Sequence, residues 1–281
     1  MKDLVVRLMS RLREDRKPVL IIGDTIIDRW VTGRQLPCQD GCPKFVKESV
    51  RDTTGGAANA ANCLSQWPIR VNLCGMSGDG YIPVKTRCVE DGRILYRVDD
   101  DREENRDNHE MYDWVRNYGF ELVRTAGAVL LSDYDKGLLT TEFIANISAK
   151  CQRYGIPCVA DAKRRPEVYK GCIIKSNQAW YEANRGFSWP DVSAGIVTTY
   201  GGDSPTINCC VMDGNMPPVN CVNHVGAGDC FAAHLVLCLA YGFSLKEAAA
   251  LAHSAGRVYV QHPYNRPPAP NEIAADLATA R

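Results

Sequence analysis

The chain has 281 residues, and its 33 basic and 33 acidic side chains give a formal net charge of zero. That balance argues against a general nucleic-acid binder and against a polybasic membrane-surface protein. No apolar stretch approaches the ~18 residues of a membrane span, and at 45% hydrophobic and 23% charged residues the composition is ordinary for a globular, cytoplasmic protein.

In chain order, Leu4, Val5, Leu8, Met9 and Leu12 recur at helical spacing, and Lys17-Pro18 ends that first helix. Val19 to Gly23 is a short apolar run, as expected for a strand buried on both faces. Ile69–Cys74, Ala128–Leu131, Ile156–Ala160, Cys172–Ile174 and Gly195–Thr199 repeat that pattern. Helix-length segments fall between them, at Ala57–Trp67, Asn105–Thr125 and Leu139–Tyr154. Ala227–Tyr241 and Leu245–Val260 form a final apolar helix pair, and a proline-rich loop from His262 to Asn271 precedes a short terminal helix. Short apolar strands alternating with helices predict a mostly parallel sheet with helices on both faces. Lys44–Asp52 and Val84–Asp99 break this rhythm. Their alternating charged and β-branched residues, with a turn at Glu90-Asp91-Gly92, predict a small antiparallel sheet beside the α/β core.

The thirteen cysteines are scattered without any C-x-x-C spacing. Cys38 and Cys42 stand near each other but lack a second pair. Small buried hydrophobes in a reducing compartment are expected rather than a metal or disulfide framework. The five histidines show no ligand spacing.

Three motifs point to chemistry. Gly226-Ala227-Gly228-Asp229 leads into an apolar helix. Glycines there let backbone approach a ligand, and the helix's first N–H groups and dipole favour an anion. Gly55-Gly56-Ala57-Ala58-Asn59 opens a second helix, with Asn59 in its first turn. Gly23-Asp24-Thr25-Ile26-Ile27-Asp28 follows the first buried strand as a loop at the carboxyl edge, where open α/β sheets bind ligands. Two acids four residues apart suit the hydroxyls of a polar ligand.

Taken together, these motifs resemble the ribokinase (PfkB) family of carbohydrate kinases. The likeness runs along nearly the whole chain. Within the family it narrows to the kinases that phosphorylate D-glycero-D-manno-heptose 7-phosphate at the anomeric hydroxyl. Asp28-Arg29-Trp30, Lys85-Thr86-Arg87, Tyr96-Arg97-Val98-Asp99, Ser132-Asp133-Tyr134-Asp135-Lys136-Gly137 and Asp161-Ala162-Lys163 carry that narrower likeness.

The resemblance implies one ribokinase-like domain over residues 1–281, a three-layer α/β sandwich with a β lid at about 38–52 and 84–99. It implies ATP and Mg2+ as cofactors, a sugar phosphate as partner, and a homodimer paired through the lid. Asp229 would be the catalytic base, and Gly226, Ala227 and Gly228 would offer N–H groups to the transferring phosphoryl group. Asp24, Asp28, Gly55, Gly56 and Asn59 would hold sugar hydroxyls. Lys85, Arg87, Arg97 and Lys136 would grip a phosphate already on the sugar. Lys163, Asn177, Thr199, Gly201, Ser254 and Gly256 would face ATP, with Asn177 reaching the metal through water.

Three features depart from the family pattern. Trp180 stands where the family's Asn-x-x-Glu motif has its Glu. Gly78-Asp79-Gly80 runs almost directly into the lid, where relatives carry a further helix and strand. Thr199 to Ser204 lacks the usual final glycine. Without an H-x-G-H motif, no nucleotidyl-transfer unit is expected, and without G-x-G-x-x-G after the first strand a dinucleotide fold is disfavoured.

Overall fold

The structure is a computed structural model that describes residues 3–37, 41–75, 82–100, 109–189, 193–212 and 216–279. Leu4–Glu14 is α1, Val19–Gly23 β1, Thr25–Leu36 β2, Lys44–Gly56 β3, Ala57–Cys63 α2 and Val71–Gly75 β4. Val84–Glu90 is β5, Arg93–Asp100 β6, His109–Leu122 α3, Ala128–Ser132 β7, Thr141–Tyr154 α4 and Cys158–Asp161 β8. Ile173–Asn177 is β9, Gln178–Ala183 α5, Gly195–Tyr200 β10, Asp203–Ile207 β11 and Cys210–Val211 β12. Ala227–Ala240 is α6, Leu245–Tyr259 α7 and Pro270–Leu277 α8.

Apolar runs make the main sheet because both faces are covered. On β1, Val19 and Ile21 face one core while Leu20 and Ile22 face the other. The first core is closed by α1, α2, α6, α7 and α8, the second by α3 and α4. The sheet runs β12-β11-β10-β9-β8-β7-β1-β4, parallel from β4 to β10, with β11 and β12 antiparallel at one edge. The architecture is therefore the expected sandwich with a mostly parallel sheet.

Local signals set several boundaries. The Thr140 hydroxyl accepts the Phe143 N–H at 3.1 Å to start α4, and Gly155 ends it in the left-handed region. A Ser244–Glu247 capping box starts α7.

The second sheet runs β3-β2-β5-β6 and is mixed rather than antiparallel as expected, because β2 and β5 pair in parallel across the connection between them. Its β5–β6 hairpin turns through Asp91 and Gly92, both with positive φ. The segment after Gly23, expected as a loop, is instead the twelve-residue strand β2, which pairs with β3 from Thr25↔Gly56 to Leu36↔Lys44. Its alternation is hidden in the sequence because an acid, Asp28, occupies one of the buried positions. Edge strands β11 and β12 and the short α5 are likewise absent from the sequence reading. The helix expected to Trp67 stops at Cys63, and Leu64–Trp67 turns ahead of Pro68. The lid start at Cys38, the Gly78-Asp79-Gly80 connection with Tyr81, and residues 105–108 of the long helix lie outside the described residues. Among the described residues, no helix is long and apolar enough to cross a membrane.

Candidate active site

The carboxyl ends of β7, β8 and β9 converge on the N-terminus of α6. Gly226 enters that helix with φ of 83°, a conformation that favours glycine. Packing also forbids a side chain there, because a Cβ on Gly226 would come within 2.4 Å of both Asn59 Nδ2 and the Tyr259 hydroxyl oxygen. A Cβ on Gly228 would lie 2.8 Å from Lys175 Nζ. The bare turn is thus pressed against an amide, a phenol and an ammonium. The Ala227 N–H bonds the His224 carbonyl at 3.2 Å, while those of Gly228 and Asp229 lie in a first turn that has no intrahelical acceptor. Together with Lys175 they form an anion-favouring corner.

Asp229 projects from this turn and is 3% exposed. The Tyr134 hydroxyl donates to its Oδ1 at 2.6 Å, and Asn59 Nδ2 donates to its Oδ2 at 3.0 Å. Burial and then the nearby Asp161 charge push its carboxyl up to about 6, against the pull of these two donors and of Lys163. Asp161 is itself buried and accepts from Lys175 Nζ at 3.1 Å, with Lys163 Nζ at 3.8 Å. An acid poised near 6 and two ammonium groups therefore share one corner, an arrangement suited to moving a proton beside an anion.

From this corner a cleft of about 830 Å³ opens between β9, β10, α6 and α7. Lys163, Asn177, Thr199, Gly201, Gly256 and the Gly226–Asp229 turn line it. So do His253 and Arg257. Burial and then the Arg257 charge lower His253 to about 4.

The acceptor-side residues lie across Asn59, where β2 and β3 meet. Asp28 Oδ1 accepts from Arg87 at 2.6 Å, and its Oδ2 accepts from Asn265 at 3.3 Å. Gly55 and Gly56 close β3 beside Ile26 and Thr25. Lys85 on β5 sets its ammonium 5.1 Å from the centre of the Tyr134 ring.

Four expected residues are placed differently. Asp24 is buried, and its carboxylate accepts the backbone N–H groups of Tyr134, Lys136 and Leu138 at 3.0 to 3.4 Å. It anchors that loop instead of facing sugar hydroxyls. Lys136 joins that anchor through its backbone. Arg97 forks onto Asp99, on the lid face that it shares with its cross-strand neighbour Arg87 and with Lys85. Ser254 turns away from the cleft and donates to Asp276 Oδ2 at 2.7 Å, because its position on α7 faces α8.

Sequence reasoning missed Tyr134, Lys175, Asn265 and Tyr259. A lone lysine ending the apolar Ile173-Ile174 run was the available signal for Lys175. Nothing local marks Asn265, which reaches Thr54 and Asp28 only through the fold.

Residues 211–272 match the family described as pfkB family carbohydrate kinase. Over that segment the chain is similar to the pfkB carbohydrate kinases. Among curated proteins, it is 27% identical over 293 residues to "Bifunctional protein HldE" of Helicobacter pylori strain J99, covering 87% of this chain and 63% of that protein. It is 26% identical to the protein of the same name from Nitratiruptor, over 86% and 61%. The chain thus spans less than two thirds of these curated relatives. Among solved structures, Arabidopsis thaliana ribokinase complexed with ribose and ATP superposes with a TM-score of 0.68 at 16% identity, covering 94% of this chain and 99% of that one. Escherichia coli phosphofructokinase-2 superposes at 0.71 with 16% identity, over 94% and 99%. These likenesses establish a ribokinase-like fold.

Against the pfkB pattern, Trp180 has left the site. Its indole N–H donates to the Arg164 carbonyl at 2.9 Å, and its ring packs near Trp189 against the second core. The Asn177 side chain is occupied as the cap of α5, accepting the Trp180 N–H at 2.8 Å. Glu182, the nearest acid in sequence, bonds Gln178 and faces outward.

Proposed function

We propose that this chain is an ATP-dependent sugar kinase whose acceptor is a sugar phosphate, with the anomeric hydroxyl of D-glycero-D-manno-heptose 7-phosphate as the leading substrate. The observation that carries the reading is Asp229, buried at the head of α6 between a phosphate-favouring turn and the Asn59–Asp28 side of the site. The HldE relatives support the heptose assignment, and a cytoplasmic location accords with it.

ATP fits the cleft. Its adenine end would lie toward Gly256 and His253, and its phosphates toward Lys163, Lys175 and the Gly228 N–H. Among the described residues, the protein groups at this cleft do not by themselves fit a magnesium site. The family's glutamate is Trp180, the Asn177 oxygen is committed to a helix cap, and among the described residues no group of three His, Cys, Asp or Glu is placed to hold an ion. Asp229 accepts the proton of the acceptor hydroxyl as its oxygen forms a bond to the γ-phosphorus. The bond from that phosphorus to the bridging oxygen breaks, and ADP leaves. Lys163 and Lys175 meet the negative charge on the phosphates, and the Gly228 N–H meets the transferring oxygens. The lid excludes water that would otherwise take the phosphoryl group.

The test is ADP release across a panel of sugars and sugar phosphates. Turnover with heptose 7-phosphate is expected, and Asp229→Asn lowers it by about 10²- to 10⁴-fold with ATP binding retained. Turnover only with another sugar overturns the substrate assignment. A second reading, a relative that binds these ligands without turnover, is favoured by the withdrawal of Trp180 from the site. Ligand binding with no ADP release on any acceptor would establish it.

A further inference from the structure

Tyr134 stands where three parts of the molecule meet. Its backbone N–H is held by Asp24 at 3.0 Å, and Asp24 also binds the N–H groups two and four residues later. Its predecessor Asp133 is buried and clamped from three sides. Arg164 donates through Nε and Nη2 at 2.8 and 2.7 Å, the Tyr169 hydroxyl donates at 2.7 Å, and the Asp135 N–H donates at 2.8 Å. The ring lies between two ammonium groups, Lys85 from the lid at 5.1 Å and Lys163 after β8 at 5.0 Å. Its hydroxyl has one described acceptor, Asp229 Oδ1, at 2.6 Å. A rigid loop, a lid lysine and a core lysine thus fix the phenol on the carboxylate.

We propose that Tyr134 is the positioning residue of Asp229: its hydroxyl holds Oδ1 in place so that the carboxylate faces the acceptor hydroxyl in one fixed orientation. The proposal rests on the kinase reading of Asp229. Asn59 fixes the other oxygen, so the carboxylate is held from two elements, and each oxygen keeps a lone pair for the acceptor. Tyr134 keeps its own proton throughout. Burial and then the Asp229 charge hold its phenol well above the ordinary tyrosine range. The proton from the acceptor therefore stays on Asp229.

The charged and titratable surroundings of this pair are Cys63 on α2, beside the amide of Asn59, with Asp28 on β2, Lys85 on β5 and Asp161 on β8. Lys163 follows β8, Lys175 lies on β9, Tyr259 on α7, and Cys230 follows Asp229 on α6. None of these changes in Tyr134→Phe, which keeps the ring and both cation contacts and removes one donor.

Losing that donor disfavours the ionised carboxylate. In Tyr134→Phe the acid limb of the kcat/KM profile is expected to move up by about one pH unit. Near pH 6 the rate falls several-fold, while the KM for ATP stays within about twofold. A readout independent of turnover accompanies this. In protein labelled with 13C at the aspartate carboxyls, the Asp229 resonance is identified by its loss in Asp229→Asn, and its midpoint moves up in Tyr134→Phe. Superimposable pH profiles and an unmoved midpoint would overturn the proposal. If the wild type transfers no phosphate, the kinase reading fails. The carboxyl titration then still decides whether Tyr134 governs Asp229.

Discussion

Arg87 illustrates how a residue's role follows from burial. A basic side chain in a lid reads as a phosphate hook. In the structure it is buried, donates through Nη1 to Asp28 Oδ1 at 2.6 Å and lies 5.3 Å over the Trp30 ring. Its charge is already answered within the fold. Replacing it by methionine leaves Asp28 buried without its cation, and such broken pairs cost about 3–5 kcal/mol. Urea unfolding of Arg87→Met should show that loss, and a loss below about 1 kcal/mol would place the pair at the surface range instead. The motif residues Asp229, Asn59 and Asp28 were legible one by one, because each carries a polar group in an otherwise apolar or glycine-rich context. That Tyr134 caps Asp229 was not legible, since 95 residues of sequence separate the two.

At the scale of elements, the head of α6 joins conformation to chemistry. Gly228 lies against the tip of a flexible side chain, Lys175 Nζ. An added methyl group displaces the ammonium more readily than it deforms backbone. Gly228→Ala is therefore expected to leave unfolding nearly unchanged while weakening ATP binding about tenfold or more, the scale of one charge-assisted hydrogen bond. Calorimetric titration measures the affinity, and an unaltered Kd would remove Lys175 from the phosphate site. The helices were read from periodicity and caps, as in α4 with Thr140 and Gly155. Strand β2 was not, because a strand that buries Asp28 and bends from one sheet into another shows no clean alternation. Its long pairing with β3 fixes it.

Across the whole molecule, buried acids make stability depend on pH. Burial pushes both Asp24 and Asp229 up to about 6 from 3.8. The folded state therefore binds more protons than the unfolded chain between about pH 4 and 6. The stability these groups contribute is full below pH ~4 and lost as pH rises through 6. Glu247 acts oppositely. The Ser244 N–H and hydroxyl, with Arg7, hold it near 2, so its contribution is present above about 4.5 and lost as pH falls toward 2. His253, lowered to about 4, also favours the folded state as pH rises toward 6.5. Comparing variants isolates one group. Asp229→Asn should gain about 2 kcal/mol relative to wild type between pH 4 and pH 7, because the wild-type carboxyl is raised from 3.8 to about 6 by folding. Urea unfolding at both pH values measures this, and a flat difference would show that burial does not raise Asp229. The gain would accompany lost activity, as is common where a site holds a strained group.

The sequence by itself determined the α/β class, the alternation of short apolar strands with helices, the lid hairpin and the glycine turns that open α2 and α6. These rest on local physics: periodicity, caps, turns and dipoles act over a few residues. Tertiary structure alone decided which polar groups meet. It sent Asp24 to a loop, Ser254 to α8 and Trp180 to the core, and it brought Tyr134, Lys175 and Asn265 to the acids that matter. The reason is that a buried charge must find partners wherever the fold places them, and those partners came from strands and loops distant in sequence.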